Sequence, residues 1–139
     1  MTHLLRSLTV FLLTAVLGAQ VDTAKEEADL NKKASTALAS FASNAIRNKM
    51  GPRAKQAYDL VLDHYDIENA VARKALGFTK VAGKWEPADP KKAPVWLDKA
   101  NNDERYKVVD EWYKTAVKLG QFHRDLGIKL KTAGNARAE

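Results

Sequence analysis

Apolar residues fall at steps of three and four over most of this chain, the spacing that lines one face of an α-helix. Leu30, Ala34, Ala37, Leu38, Phe41, Ala45 and Ile46 form such a stripe between Val21 and about Lys49, which predicts a long amphipathic helix. Much of the stripe is alanine, so partner helices can approach closely. Gly51-Pro52 closes it, and proline, lacking an N–H, suits the first turn of the next helix. That second helix is predicted from about Pro52 to Tyr65, with Ala54, Ala57, Tyr58, Val61, Leu62 and Tyr65 turned inward. Asp66 is expected to cap a shorter helix running through Leu76. Glu68 would sit in its first turn, and Gly77 would stop it with a positive φ.

The pattern then changes. Phe78 to Val81 and Lys84 to Glu86 flank Ala82-Gly83, which predicts a very short hairpin, with Phe78, Val81 and Trp85 as the anchors that a hairpin this small needs. Pro87 to Pro94 holds three prolines and reads as a connector, followed by a turn of helix around Val95-Trp96-Leu97. Asn101, Asn102 or Asp103 can cap a last long helix from about Asp103 to Lys131. Val109, Trp112, Ala116, Leu119, His123, Leu126 and Leu130 alternate by three and four along it, a seam fit for another long helix of this chain or of a second copy. Tyr113, Gly120, Gly127 and Gly134 fall seven apart on a neighbouring face. Glycine costs helix stability, so that line points to close backbone approach or a bend, unless Gly127 simply ends the helix.

The chain opens with a different apolar run. Met1 to Ser7 is weakly basic, Leu8 to Leu17 is apolar, and Gly18-Ala19 is a small-residue exit. That order suits a translocation leader, and the run is shorter than the roughly 20 apolar residues that span a bilayer. Residues 1–19 are therefore expected to be a signal peptide cut after Gly18 or Ala19, giving a secreted or periplasmic protein with no transmembrane segment after cleavage. Residues 20–134 are expected to form a single helical domain and 135–139 a disordered tail.

Composition narrows the chemistry. Cysteine is absent, which removes disulfides, thiol catalysis and thiolate metal sites and leaves packing to hold the fold. Lysine and arginine number 23 against 17 aspartate and glutamate, but the two signs are interspersed. Such an excess serves solubility and gives at most a weak attraction to an anionic envelope surface. With no basic stripe and no reading motif, a nucleic-acid partner is not expected.

Residues 54–77 resemble the joint between tetratricopeptide repeats. Ala54, Tyr58 and Val61 stand at the small, aromatic and small positions of a repeat's second helix, and Leu76-Gly77 matches the Leu-Gly pair of the following helix with a shift of one residue. Asp66 stands where the turn usually has proline. The likeness covers about a fifth of the chain and implies a helical hairpin and, often, peptide or protein binding. The string Asn69 to Phe78, followed by Gly83-Lys84-Trp85, is similar to a Leu-Gly-aromatic, Gly-Lys-Trp segment of uncharacterised exported proteins from planctomycete-type bacteria. A repeat array needs about three stacked units to bury its faces, and this chain has room for about one and a half. Its long flanking helices must therefore cap the unit, or it must pair with something.

Asp63, His64, Asp66 and Glu68 are the densest set of polar candidates. Asp63 and His64 point roughly 100° apart on a helix, however, and no His-Glu-x-x-His pattern supplies further ligands. Solvated helix surface and a turn explain them. His123 lies on the predicted seam and is expected to be a hydrogen-bonded core or interface histidine. No catalytic residue, metal ligand or cofactor is assigned. The binding candidates are Trp85, Trp96, Trp112, Tyr113 and His123, aromatic groups able to stack on a partner. The expected fold is all-α, four main helices with a short hairpin near 78–86. The expected function is an exported, non-catalytic helical module for protein–protein interaction or self-assembly, the alternative being an enzyme, or an accessory region of one, that acts on envelope polymers.

Overall fold

The computed structural model describes residues 3–87 and 89–135, with side chains for 23–87 and 89–134. It is a small all-α fold of four helices with a two-stranded antiparallel insertion among the described residues. In chain order these are α1 (His3–Arg47), α2 (Gly51–Leu60), a π-helical turn (Val61–Tyr65), α3 (Ala70–Ala75), β1 (Thr79–Val81), β2 (Lys84–Glu86) and α4 (Asn102–Asn135). The helix predicted from Val21 thus continues back to His3. The side chains of the expected leader, and residues 136–139 of the expected disordered tail, lie outside the described residues.

Helix α1 is the spine. Its alanine-rich face packs against α2, the π-turn and α4, with Ala34, Leu38, Phe41, Ala42 and Ala45 almost wholly buried. Helix α4 runs antiparallel to it: Lys49 at the end of α1 bridges Glu104 at 2.7 Å, and Glu26 near the other end bridges Lys129 at 2.5 Å. Phe41, 2 % exposed, lies where three helices meet. Its ring contacts Trp112 of α4 with centroids 5.1 Å apart, and beside it are Ala57 and Leu60 of α2.

Each helix end has a local cause. Helix α1 stops in a Schellman turn: Lys49 adopts a left-handed φ of 58°, its N–H donates to Ile46 O, and Met50 N–H reaches back to Ala45 O. A lysine holds this glycine-favoured conformation because the returning chain pins it. Lys99 N–H donates to Lys49 O at 2.9 Å, and Lys49 Nζ reaches Glu104. Helix α3 ends the same way, with Gly77 at φ 92° as predicted and Phe78 N–H donating to Arg73 O. The cap of α3 is Asn69, however, whose Oδ1 accepts from the N–H groups of Val71 and Ala72. Asp66 instead folds the preceding turn, accepting from Glu68 N–H and Asn69 Nδ2, so Glu68 lies before the helix. Helix α4 opens with a reciprocal capping box: Glu104 N–H donates to Asn101 Oδ1 and Asn101 N–H to Glu104 Oε2.

Three further expectations need correction. The helical turn predicted at Val95-Trp96-Leu97 is extended chain that lies along the start of α2, where Gly51 N–H donates to Leu97 O at 3.0 Å. Val81, expected to anchor the hairpin, is exposed. The seam of α4 runs through Val108, Thr115, Leu119, Phe122, Leu126 and Leu130, so that Val109, Ala116 and His123 of the predicted line face outward. The polar Thr115, buried against α1, hides the true line, while the exposed Val109 draws the count to its neighbour.

Phe41→Ala removes a ring enclosed by three helices and is expected to cost about 3–5 kcal/mol in denaturant unfolding. A loss under 1 kcal/mol would contradict the placement. Acid should loosen the start of α4. Hydrogen bonds from Lys49 and from Asn101 N–H hold Glu104 below its ordinary 4.5, and those from Ala100 N–H and Arg105 hold Asp98 below its ordinary 3.8. Lowered carboxylates stabilise above their unfolded values, and that stability is lost as pH falls through the folded ones. Unfolding free energy should therefore drop from about pH 4.5 downward, and Glu104→Gln should be less stable at neutral pH with a shallower acid limb.

Candidate functional site

A concavity with an apolar floor opens beside Phe41. A cavity of about 310 Å³ is floored by Phe41, Ala57, Leu60 and Trp112 and rimmed by Arg53, Gln56, Asp59 and Asp63. The rim follows from the amphipathic period of α2. Ala54, Ala57 and Tyr58 are buried against α1, which leaves Arg53, Gln56 and Asp59 at the water boundary. The π-turn adds one residue to the following turn and carries Asp63 to the same edge. Arg53 is engaged by Gln56 at 3.0 Å and Asp59 by Lys55 at 2.7 Å. The Asp63 carboxylate has no ion pair or hydrogen bond among the described residues. Trp112 remains 40 % exposed although it contacts Phe41, so an apolar side chain entering here meets a ring already half stripped of water.

The five aromatic candidates from the sequence do not converge. Trp112 lines this groove. His123 is exposed on the same helix, and its Nε2 lies 3.0 Å from the Tyr65 hydroxyl on the π-turn. The expected hydrogen bond to His123 therefore exists, but at the surface, and among the described residues Tyr65 is its hydrogen-bond partner. Tyr113 points away from α1, 69 % exposed. Trp96 packs on Tyr58 with centroids 6.4 Å apart and helps close the far side of the core. Trp85 serves the hairpin. The Arg73 guanidinium lies 5.7 Å from the Trp85 ring and 5.5 Å from Phe78, while Lys80 Nζ sits 5.5 Å from Trp85. Arg73 also donates to Ile67 O at 2.6 Å and to Glu68, so one cation ties the Asp66 turn to the hairpin. The sequence reading missed Phe41, Arg53, Gln56 and Asp59 as a site because each reads as ordinary amphipathic surface or core; only the packing of α2 and α4 side by side on α1 brings them together.

Among the described residues no group of three or more His, Asp or Glu is placed to hold a metal ion, and no helix is long and apolar enough to cross a membrane. No family model matches the chain, and neither curated proteins nor solved structures give a match. The tetratricopeptide and planctomycete-type likenesses thus rest on the residues quoted for them.

The hairpin depends on Arg73. Its antiparallel ladder, Thr79 opposite Glu86 through Val81 opposite Lys84, is too short to persist undocked. Arg73→Ala should therefore bring amide exchange in residues 79–86 close to the unprotected rate while protection in α1 and α4 stays within about tenfold of wild type. Persistent protection of the ladder would assign its docking elsewhere.

Proposed function

We propose that this chain is an exported, non-catalytic helical module that binds protein, and that the Phe41–Trp112 groove receives one large apolar side chain of the partner flanked by a lysine or arginine. The observation that carries the reading is the pairing of an apolar floor with Asp63, a carboxylate left without a partner among the described residues on a chain of net positive charge. The floor gives affinity by excluding water. The acidic edge, Asp59 with Asp63, gives preference for a cation beside the entering side chain. Export is supported by the order of residues 1–19, a weakly basic start, an apolar run and a small-residue exit, with secretion or the periplasm as the destination.

Selection from a displayed random-peptide library tests the groove. Wild type should enrich sequences with an aromatic or large aliphatic residue next to lysine or arginine. Trp112→Ala should weaken the best binder at least about tenfold, or 1.4 kcal/mol, and Asp63→Lys should remove the preference for the basic neighbour. If wild type enriches nothing beyond the Trp112→Ala background, the reading fails.

A further inference from the structure

Helix α4 has a second line of residues, opposite the one that packs on α1. Tyr106, Val109, Tyr113 and Val117 stand outward along its first half, at 74 %, 60 %, 69 % and 42 % exposure. Gly120 and Gly127 continue the line through the second half, and a Cβ built on either would meet nothing within 4 Å. Each glycine costs the helix about 1 kcal/mol relative to alanine, and no contact within the chain accounts for the choice. Aromatic and branched side chains thus fill one half of the face, while the other half sets Gly120 and Gly127 beside Arg124 and the exposed Ile128. Asp110 and Arg124 lie on the same face, seven residues to either side of Val117. Arg124 has no ion pair among the described residues, and Asp110 is held by Lys114 through Oδ2 alone, leaving Oδ1 open.

We infer that this face pairs with its counterpart on a second copy of the chain, antiparallel, about a two-fold axis at Val117. The inference rests on the reading of the chain as a protein-binding module and names its partner as itself. An axis there brings Asp110 beside the partner's Arg124 twice, and it sets Tyr113 and Tyr106 level, within one residue, with the partner's Gly120 and the partner's Gly127. The Tyr113 ring then lies beside the space at the partner's Gly120, and Tyr106 makes an apolar contact with the partner's Ile128 beside the partner's Gly127, the self-complementarity that an isologous contact requires. A parallel pair is rejected by the same residues. It would put Asp110 against Asp110 and Arg124 against Arg124, and the tyrosines would hold apart the helix halves that the glycines let close.

The absence of cysteine makes the test direct. In the full chain, purified in the form the cell processes it to, Val117→Cys should oxidise readily to a disulfide-linked dimer, because only the axis residue meets itself. Tyr106→Cys, distant from its own copy, should remain largely unlinked. Light scattering of wild type should give a reversible dimer with Kd on the order of micromolar. Gly120→Leu should weaken it at least about tenfold while the thermal midpoint holds or rises, since leucine is the better helix former and has room. Asp110→Arg and Arg124→Asp should each weaken the dimer, and the two together should restore it. A wild type that stays monomeric into the high micromolar range, a dimer indifferent to Gly120→Leu, or equal crosslinking at both cysteine positions would overturn the inference. Peptide selection on the Gly120→Leu monomer reads the groove independently, so failure of the dimer and failure of the groove are separate results.

Discussion

Everything in this fold hangs on Phe41 and the alanines around it. Ala34, Ala42 and Ala45 have no bulk to hold neighbours apart, so α2 and α4 both approach α1 closely, and Phe41 fills the space where the three diverge. In a core whose other buried ring is Tyr58 and which is otherwise built largely from alanine and single aliphatic side chains, the Phe41 ring concentrates the packing energy where the helices meet. The groove is a by-product of that arrangement. Ala57 and Leu60 reach the ring from one side and Trp112 from the other, and the two helices do not close over its outer edge.

A second constraint holds the ends of the helices in register. The left-handed turn at Lys49 sends the chain into α2, and the strand-like segment before α4 returns to the same point, bonding Gly51 and Lys49 through their backbones. Gly51 is required there because an added Cβ would sit 2.8 Å from Leu97 O. The salt bridge from Lys49 to Glu104 then joins this clasp to the capping box of α4, so the turn that ends one long helix also fixes where its antiparallel partner begins. Exposed ion pairs contribute little alone. Their value here is positional, because they share residues with backbone hydrogen bonds already made.

The sequence states the helices, the Gly77 stop and the Ala82-Gly83 hairpin because each is encoded within a few residues by periodicity or by a positive φ. It does not state which of two chemically equivalent residues is used. Asp66 and Asn69 are both good caps three residues apart, and only the hydrogen bonds show that the first shapes the turn and the second starts α3. The register of α4 was hidden for a different reason. A helix with apolar residues on two faces offers two seams, and a count through Val109 and Trp112 falls between them. The groove was illegible because its parts come from residues 41, 53–63 and 112, far apart in sequence and individually unremarkable.

The distribution of side-chain size across α4 runs against what a small domain needs. A chain of 139 residues gives a modest core, for which the largest apolar groups are the most useful, yet Tyr106 and Tyr113 point to water while Thr115 is buried against the spine. The close approach demanded by the alanine face of α1 explains the inner side, since bulk there would push the helices apart. It does not explain rings and glycines set opposite one another on the outer side, where nothing in the chain limits size. On the proposal that a second copy pairs here, the outer side obeys the same rule as the inner one: the size of each side chain is set by how closely the facing helix must approach.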